Sequence, residues 1–241
     1  GTEGSCRNQV KSIFFDLDDT LYDRSVPFIK SAEYCFPQLT VDFMAAYLAC
    51  AKRGNEVFHA SQHGDITMEE MYVYRYCKGF RDVGAEIQPE EALAFQKIYR
   101  QKQKQIRLSE KIERMLLQLR EAEIPLGLLT NGPAEKQRSK IQALRLERYI
   151  PNNRLIISGE AGVDKPDPAI FAMAEFAGGA DPKDLIFVGD SLSHDILPAA
   201  ARGWRTVWYT GYHKPDADMP GQCRAETETD LQEILRSMLG L

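Results

Sequence analysis

Five short, almost continuously apolar segments recur along the chain, at residues 12–15, 126–129, 155–158, 185–188 and 205–209, with helical stretches between most of them. A strand that is apolar at every position is buried on both faces, the signature of a parallel sheet covered by helices. Parallel neighbours need a crossover connection, which the intervening helices supply with right-handed chirality. Ser109 stands as an N-cap before Ile112, Met115, Leu116 and Leu119, one apolar stripe at helical spacing. Asp167-Pro168 opens another helix, which ends near Gly178-Gly179, and a last helix over residues 229–239 places Leu231, Ile234, Leu235, Met238 and Leu239 on one face. The reading is an α/β fold: a doubly wound, Rossmann-like parallel sheet.

Residues 22–106 break the alternation. This stretch has no convincing strand and carries helical patterns at residues 41–51, 68–79 and 89–106. It reads as an inserted α-helical cap domain of residues 22–106, with the Rossmann-like catalytic core made of residues 7–21 and 107–241. Its insertion right after the first strand predicts a place over the carboxyl ends of the strands, where open α/β sheets bind ligands.

Polar residues collect at that same rim. Asp16-Leu17-Asp18-Asp19-Thr20 follows the first strand, Thr130-Asn131-Gly132 the second, Lys165-Pro166 the third, and Gly189-Asp190 with Asp195 the fourth. Loops at the opposite rim had equal opportunity to carry such groups, so their concentration here predicts one site. Crowded carboxylates repel and therefore hold protons or a cation, and hard oxygen donors favour Mg²⁺ over zinc. Lys165, the Thr130 hydroxyl and backbone N–H groups near Asn131 suit phosphoryl oxygens. One carboxylate can attack phosphorus while a second, two residues on and held protonated, donates to the leaving oxygen; Asp16 and Asp18 have that spacing.

In order and spacing, Asp16-x-Asp18-x-Thr20, Thr130-Asn131, Lys165 and Gly189-Asp190 with Asp195 resemble the four motifs of the haloacid dehalogenase (HAD) superfamily. The resemblance spans the whole core, and the helical insertion lies where that superfamily carries its helical (C1) caps. It implies Asp16 as nucleophile, Asp18 as general acid and then base, Thr130 and Asn131 as phosphate binders, and Lys165 as a catalytic charge clamp that also holds phosphate. Asp16, Asp190 and the Asp18 backbone carbonyl would hold Mg²⁺, with Asp195 orienting Lys165 or a metal-bound water, or joining the metal. The implied enzyme is a Mg²⁺-dependent phosphatase of a small phosphorylated metabolite, working through an aspartyl phosphate. It is similar to the branch of phosphoglycolate phosphatase and pyrimidine 5′-nucleotidase. The C–Cl-cleaving dehalogenases keep no carboxylate at the position of Asp18, which favours phosphoryl transfer. A sugar phosphomutase and a catalytically silent, phosphate-ligand-binding protein are the alternatives.

Charge and composition narrow the partners. With 30 Lys plus Arg against 35 Asp plus Glu the net charge is −5 across 241 residues, so no global attraction draws nucleic acid or an anionic membrane. No apolar run approaches the roughly 20 residues of a membrane helix. The expectation is a cytoplasmic monomer or homodimer acting on a small molecule. Cys6, Cys35, Cys50, Cys77 and Cys223 are odd in number and scattered, which reads as reduced thiols. The polar start Gly1-Thr2-Glu3-Gly4-Ser5 reads as a processed end outside the fold. His59 and His63 have the spacing of a helical zinc pair but lack a third ligand, and the basic run from Lys97 to Arg107 reads as a solvated helix face. Tyr72, Tyr74, Tyr76 and Phe80 read as core of the helical insertion, and Arg24 as a second anion contact.

Overall fold

The computed structural model describes residues 10–215 and 217–241; Cys6 and the polar start lie outside them. In chain order its elements are β1 (Ser12–Phe15), α1 (Ser25–Cys35), α2 (Phe43–Gln62), α3 (Met68–Asp82), α4 (Pro89–Gln103), α5 (Glu110–Glu121), β2 (Leu126–Thr130), α6 (Ala134–Ala143), β3 (Leu155–Ile157), α7 (Ser158–Ala161), α8 (Pro168–Gly178), β4 (Leu185–Gly189), α9 (Leu197–Ala201), β5 (Arg205–Tyr209), β6 (Arg224–Ala225) and α10 (Glu228–Leu239). The strands form one sheet in the order β3-β2-β1-β4-β5-β6, and every neighbouring pair is parallel. Chain order reverses direction between β1 and β4, so a crevice opens at their carboxyl ends.

The α/β expectation is met because the strands are buried on both faces: every residue of β1, β2 and β4 is buried. Phe14, Phe171, Phe187 and Trp204 pack edge to face beneath the sheet, with ring centroids 5.7–6.0 Å apart. Ser109 caps α5 by accepting from the Ile112 N–H, and Asp167 caps α8 by accepting from Ala169. The third strand ends one residue earlier than expected, because Ser158 already opens α7. The two-residue edge strand β6 carries too little pattern to be read in sequence.

The chain divides into two compact units, one formed by the segment ending at Asp23 together with Arg107–Leu241, the other by Arg24–Ile106. Tyr22 and Asp23, expected in the insertion, stay with the sheet because the Tyr22 hydroxyl donates to Asp18 and Asp23 pairs with His213. The second unit is all helical, α1 to α4, and its core is aromatic. Phe95 stands edge-on to Phe28 and Tyr76 at 5.1 and 4.8 Å, and Phe36, Phe80 and Tyr99 complete the cluster. Tyr76 and Phe80 are therefore core, Tyr72 packs against them, and Tyr74 donates to Glu56 at the surface. Helix α1 was not legible, since its apolar residues are broken by Lys30, Ser31 and Glu33. None of the described helices is long and apolar enough to cross a membrane.

Gly79 sets the approach of α3 to α2. A Cβ there would lie 2.4 Å from Cys50 Sγ and 2.7 Å from the Cys50 Cα, so truncating the cysteine leaves the backbone clash in place. Gly79→Ala gains about 1 kcal/mol of helix propensity but loses about 1–3 kcal/mol to overpacking. The expected net is a lower denaturation midpoint, unrelieved by adding Cys50→Ala; a raised midpoint shows that the helices separate at no cost.

Candidate active site

The expected residues converge at the carboxyl ends of β1, β2 and β4. Asp16 is the first residue past β1, and its N–H donates to the Val188 carbonyl of β4 at 2.9 Å, which ties its backbone to the neighbouring strand. Lys165, 4% exposed, places its ammonium 2.9 Å from Asp16 Oδ1 and 2.7 Å from Asp195 Oδ1. The Thr20 hydroxyl donates to Asp16 Oδ2 at 3.2 Å. Asn131 clips the lysine backbone from both sides: its amide donates to the Lys165 carbonyl and its oxygen accepts from the Lys165 N–H, each at 2.9 Å. Asn131 thus holds Lys165 in place, a task its expected phosphate-binding role did not foresee.

Asp195 sits in the π-helical turn Leu192–Ile196, with the Ser191 N–H donating to its Oδ2 at 3.1 Å. Gly189 is required at the end of β4, because a Cβ there would come 2.5 Å from that same oxygen. The Trp208 indole donates to the Asp190 carbonyl at 2.9 Å, fixing the turn that carries Asp190. One ligand oxygen from each of Asp16, Asp190 and Asp195 falls within 4.8 Å of the others.

The electrostatics of this group follow from counting charges: three carboxylates share one ammonium. Burial works against the charge on Lys165, but Asp16 and Asp195 outweigh it and hold its pKa above the ordinary lysine value. Asp195 is pushed up to about 6, by burial first and then by the Asp16 charge, against the pull of Lys165. Asp190 is held well above the ordinary carboxylate range by burial, then by Asp16 and Asp195. A divalent cation among these oxygens would remove the excess negative charge, and an all-oxygen donor set suits a hard ion. The donors present therefore fit Mg²⁺.

Asp18 faces a different environment. The Lys140 ammonium lies 2.7 Å from its Oδ1, the Tyr22 hydroxyl donates to the same oxygen at 2.5 Å, and the Gln137 amide donates to Oδ2 at 3.0 Å. The same Gln137 amide nitrogen donates to the Thr130 hydroxyl at 2.7 Å. The ammonium and the amide reach different oxygens of the Asp18 carboxyl and so fix its direction from both sides. Lys140 and Gln137 were missed. Their signal was the weak apolar stripe of α6, whose buried residues are Gln137, Lys140 and Ile141.

His213, in the loop after β5, was missed too, although polar residues at strand carboxyl ends were the guide to the others. Its Nε2 lies 3.3 Å from Asp19 Oδ1 and 3.1 Å from Asp23 Oδ1, and Asp19 adopts φ 62, a left-handed conformation that Asp tolerates. Elsewhere, Arg24 donates to the Tyr47 hydroxyl at 2.9 Å within the helical unit. His59 and His63 are exposed, with ring centroids 6.4 Å apart and no third ligand among the described residues. The four described cysteines, Cys35, Cys50, Cys77 and Cys223, are free thiols.

The hydrogen bonds to Asp19 and then Asp23 raise the His213 pKa from 6.5 to about 9. A folded pKa above the unfolded one means a contribution to stability that is complete below about pH 6.5 and lost as pH rises through about 9. The stability difference between wild type and His213→Asn, from urea unfolding, should shrink over that window; a difference independent of pH refutes the ion pair.

With this geometry in place, kinship accounts for it. A family model for haloacid dehalogenase-like hydrolases matches residues 10–203. The glyceraldehyde 3-phosphate phosphatase of Methanopyrus kandleri is 30% identical over 199 residues, covering 82% of this chain and 83% of the relative. That of Pyrococcus furiosus is 32% identical over 212 residues, covering 83% and 81%. Among solved structures, the HAD-hydrolase YfnB of Bacillus subtilis, bound to magnesium, superposes with a TM-score of 0.71 at 19% identity, covering 97% of this chain and all of that one. The last likeness shows the fold; the family match, which takes in Asp16, Thr130, Lys165 and Asp190, shows the lineage. The chain belongs to the haloacid dehalogenase-like hydrolases.

Proposed function

We propose that the protein is a Mg²⁺-dependent phosphatase of small phosphorylated metabolites, with Asp16 as nucleophile. The observation that carries this reading is the buried group in which Lys165 bridges Asp16 and Asp195 while an Asp190 oxygen lies within 4.8 Å of an oxygen of each. Relatives that span more than four fifths of the chain and are named phosphatases support the substrate class.

Asp16 attacks the phosphorus of the monoester, forming an Oδ–P bond as the ester P–O bond breaks and its electron pair goes to the leaving oxygen. Asp18, on the same turn, supplies the proton that oxygen takes. A water then attacks the aspartyl phosphate; its proton passes to Asp18, the Oδ–P bond breaks, and Asp16 is regenerated as a carboxylate. Lys165 keeps the approach of an anion to the Asp16 carboxylate from being a meeting of like charges, and Asn131 holds Lys165 by its backbone. Thr130, at the end of β2, accepts from the Gln137 amide, and its hydroxyl would donate to a phosphoryl oxygen. Asp16, Asp190, the Asp18 carbonyl and, directly or through water, Asp195 would hold Mg²⁺. Bound there, the ion supplies charge stabilisation to the phosphoryl oxygens.

Inorganic phosphate release should be measured from a panel that includes glyceraldehyde 3-phosphate, phosphoserine, nucleoside monophosphates and p-nitrophenyl phosphate. Release should require Mg²⁺, stop with EDTA, and fall by more than about 10³-fold in Asp16→Asn, the scale of losing a nucleophile. Undiminished release from that variant removes Asp16 from its role. Isomerised sugar phosphates in place of free phosphate overturn hydrolysis itself.

A further inference from the structure

Helix α6 spends its buried face on polar groups. Lys140 is 4% and Gln137 1% exposed, and they stand three residues apart, one turn, on the same side of the helix. Burying an ammonium costs desolvation and rotamer freedom, which an apolar residue at that position would avoid. Among the described residues Lys140 pairs with Asp18, at 2.7 Å. Gln137 reaches the other oxygen of the same carboxylate. Donors from α6 therefore engage both oxygens of Asp18, and the Tyr22 hydroxyl adds a third from the turn itself.

We infer that Lys140, assisted by Gln137, is a positioning residue that aims the Asp18 carboxyl at the ester oxygen. This rests on the proposed phosphatase reading and extends it to residues no motif contains. Asp18 lies within a turn in which Asp19 is left-handed and the Leu21 N–H returns to the Leu17 carbonyl at 3.0 Å, so its backbone is fixed. The side chain's direction is what remains to be set, and the ammonium and the amide set it from opposite oxygens. A misplacement of about 1 Å at such a group can cost about 10²-fold in rate. Lys140 acts through Asp18, its ion-pair partner, while Gln137 also acts through Thr130.

The test uses leaving groups. An alkyl alkoxide needs the Asp18 proton to depart, whereas p-nitrophenolate leaves without one, and kcat/KM reports only steps through the first phosphoryl transfer. Lys140→Met should lower kcat/KM by about 10²-fold on the best alkyl phosphate of the panel and by much less on p-nitrophenyl phosphate, the range expected of general acid catalysis. The ratio of the two is independent of the fraction of protein that folds. Lys140→Arg should restore most of that ratio, and Lys140→Met should change it no further in an Asp18→Asn background. A parallel fall on both substrates, or an unchanged ratio, overturns the positioning role and leaves the phosphatase reading standing. A wild-type protein that releases phosphate from neither substrate overturns both.

Discussion

A buried ammonium shared between two carboxylates is the constraint on which this site depends. Lys165 joins Asp16, at the end of β1, to Asp195, in the turn after β4, bridging sequence separations of 149 and 30 residues. Each partner alone would be an uncompensated buried charge, a loss of about 3–5 kcal/mol when such a pair is broken. Together they are tolerable, but three carboxyl groups against one ammonium leave an excess of negative charge that a divalent cation would balance. The same imbalance raises Asp190 and Asp195 even as it holds Lys165 charged.

Around that cluster the fold assigns each neighbouring residue a supporting task. Gly189 leaves room for Asp195, Asn131 grips the backbone of Lys165, and the Trp208 indole pins the Asp190 carbonyl. Asp16 and Asp18 are two residues apart and yet have different company: a lysine and a cation-seeking cluster for one, the α6 donors for the other. Division of labour between two carboxyl groups follows from such a difference in surroundings. The His213 pair with Asp19 and Asp23 fastens the following residues of the same turn to the loop after β5.

Much of this was legible from the chain. Continuous apolarity identified the parallel strands, because a strand buried on both faces shows no alternation, and the N-caps Ser109 and Asp167 marked helix starts by chemistry that acts within three residues. The polar rim was legible for a related reason: residues just past a strand must leave the sheet at its carboxyl end, so position in sequence implies position in space. Less was legible where the signal was weak. Helix α1 lacks an unbroken stripe, β6 has two residues, and α6 buries polar side chains that a search for apolar periodicity passes over.

The sequence by itself determined the class of fold, the rim on which the chemistry sits and the residue types available to it, because strand burial and strand ends are local properties of the chain. Tertiary structure alone decided the pairings. That Asp18 meets Lys140, 122 residues away, and that Asp23 meets His213, 190 residues away, depends on how α6 and the loop after β5 return to the sheet. The same pairings keep Tyr22 and Asp23 with the sheet and let the helical unit begin at Arg24. Pairing of charges is a matter of distance in space, and no local pattern encodes which distant residue will arrive.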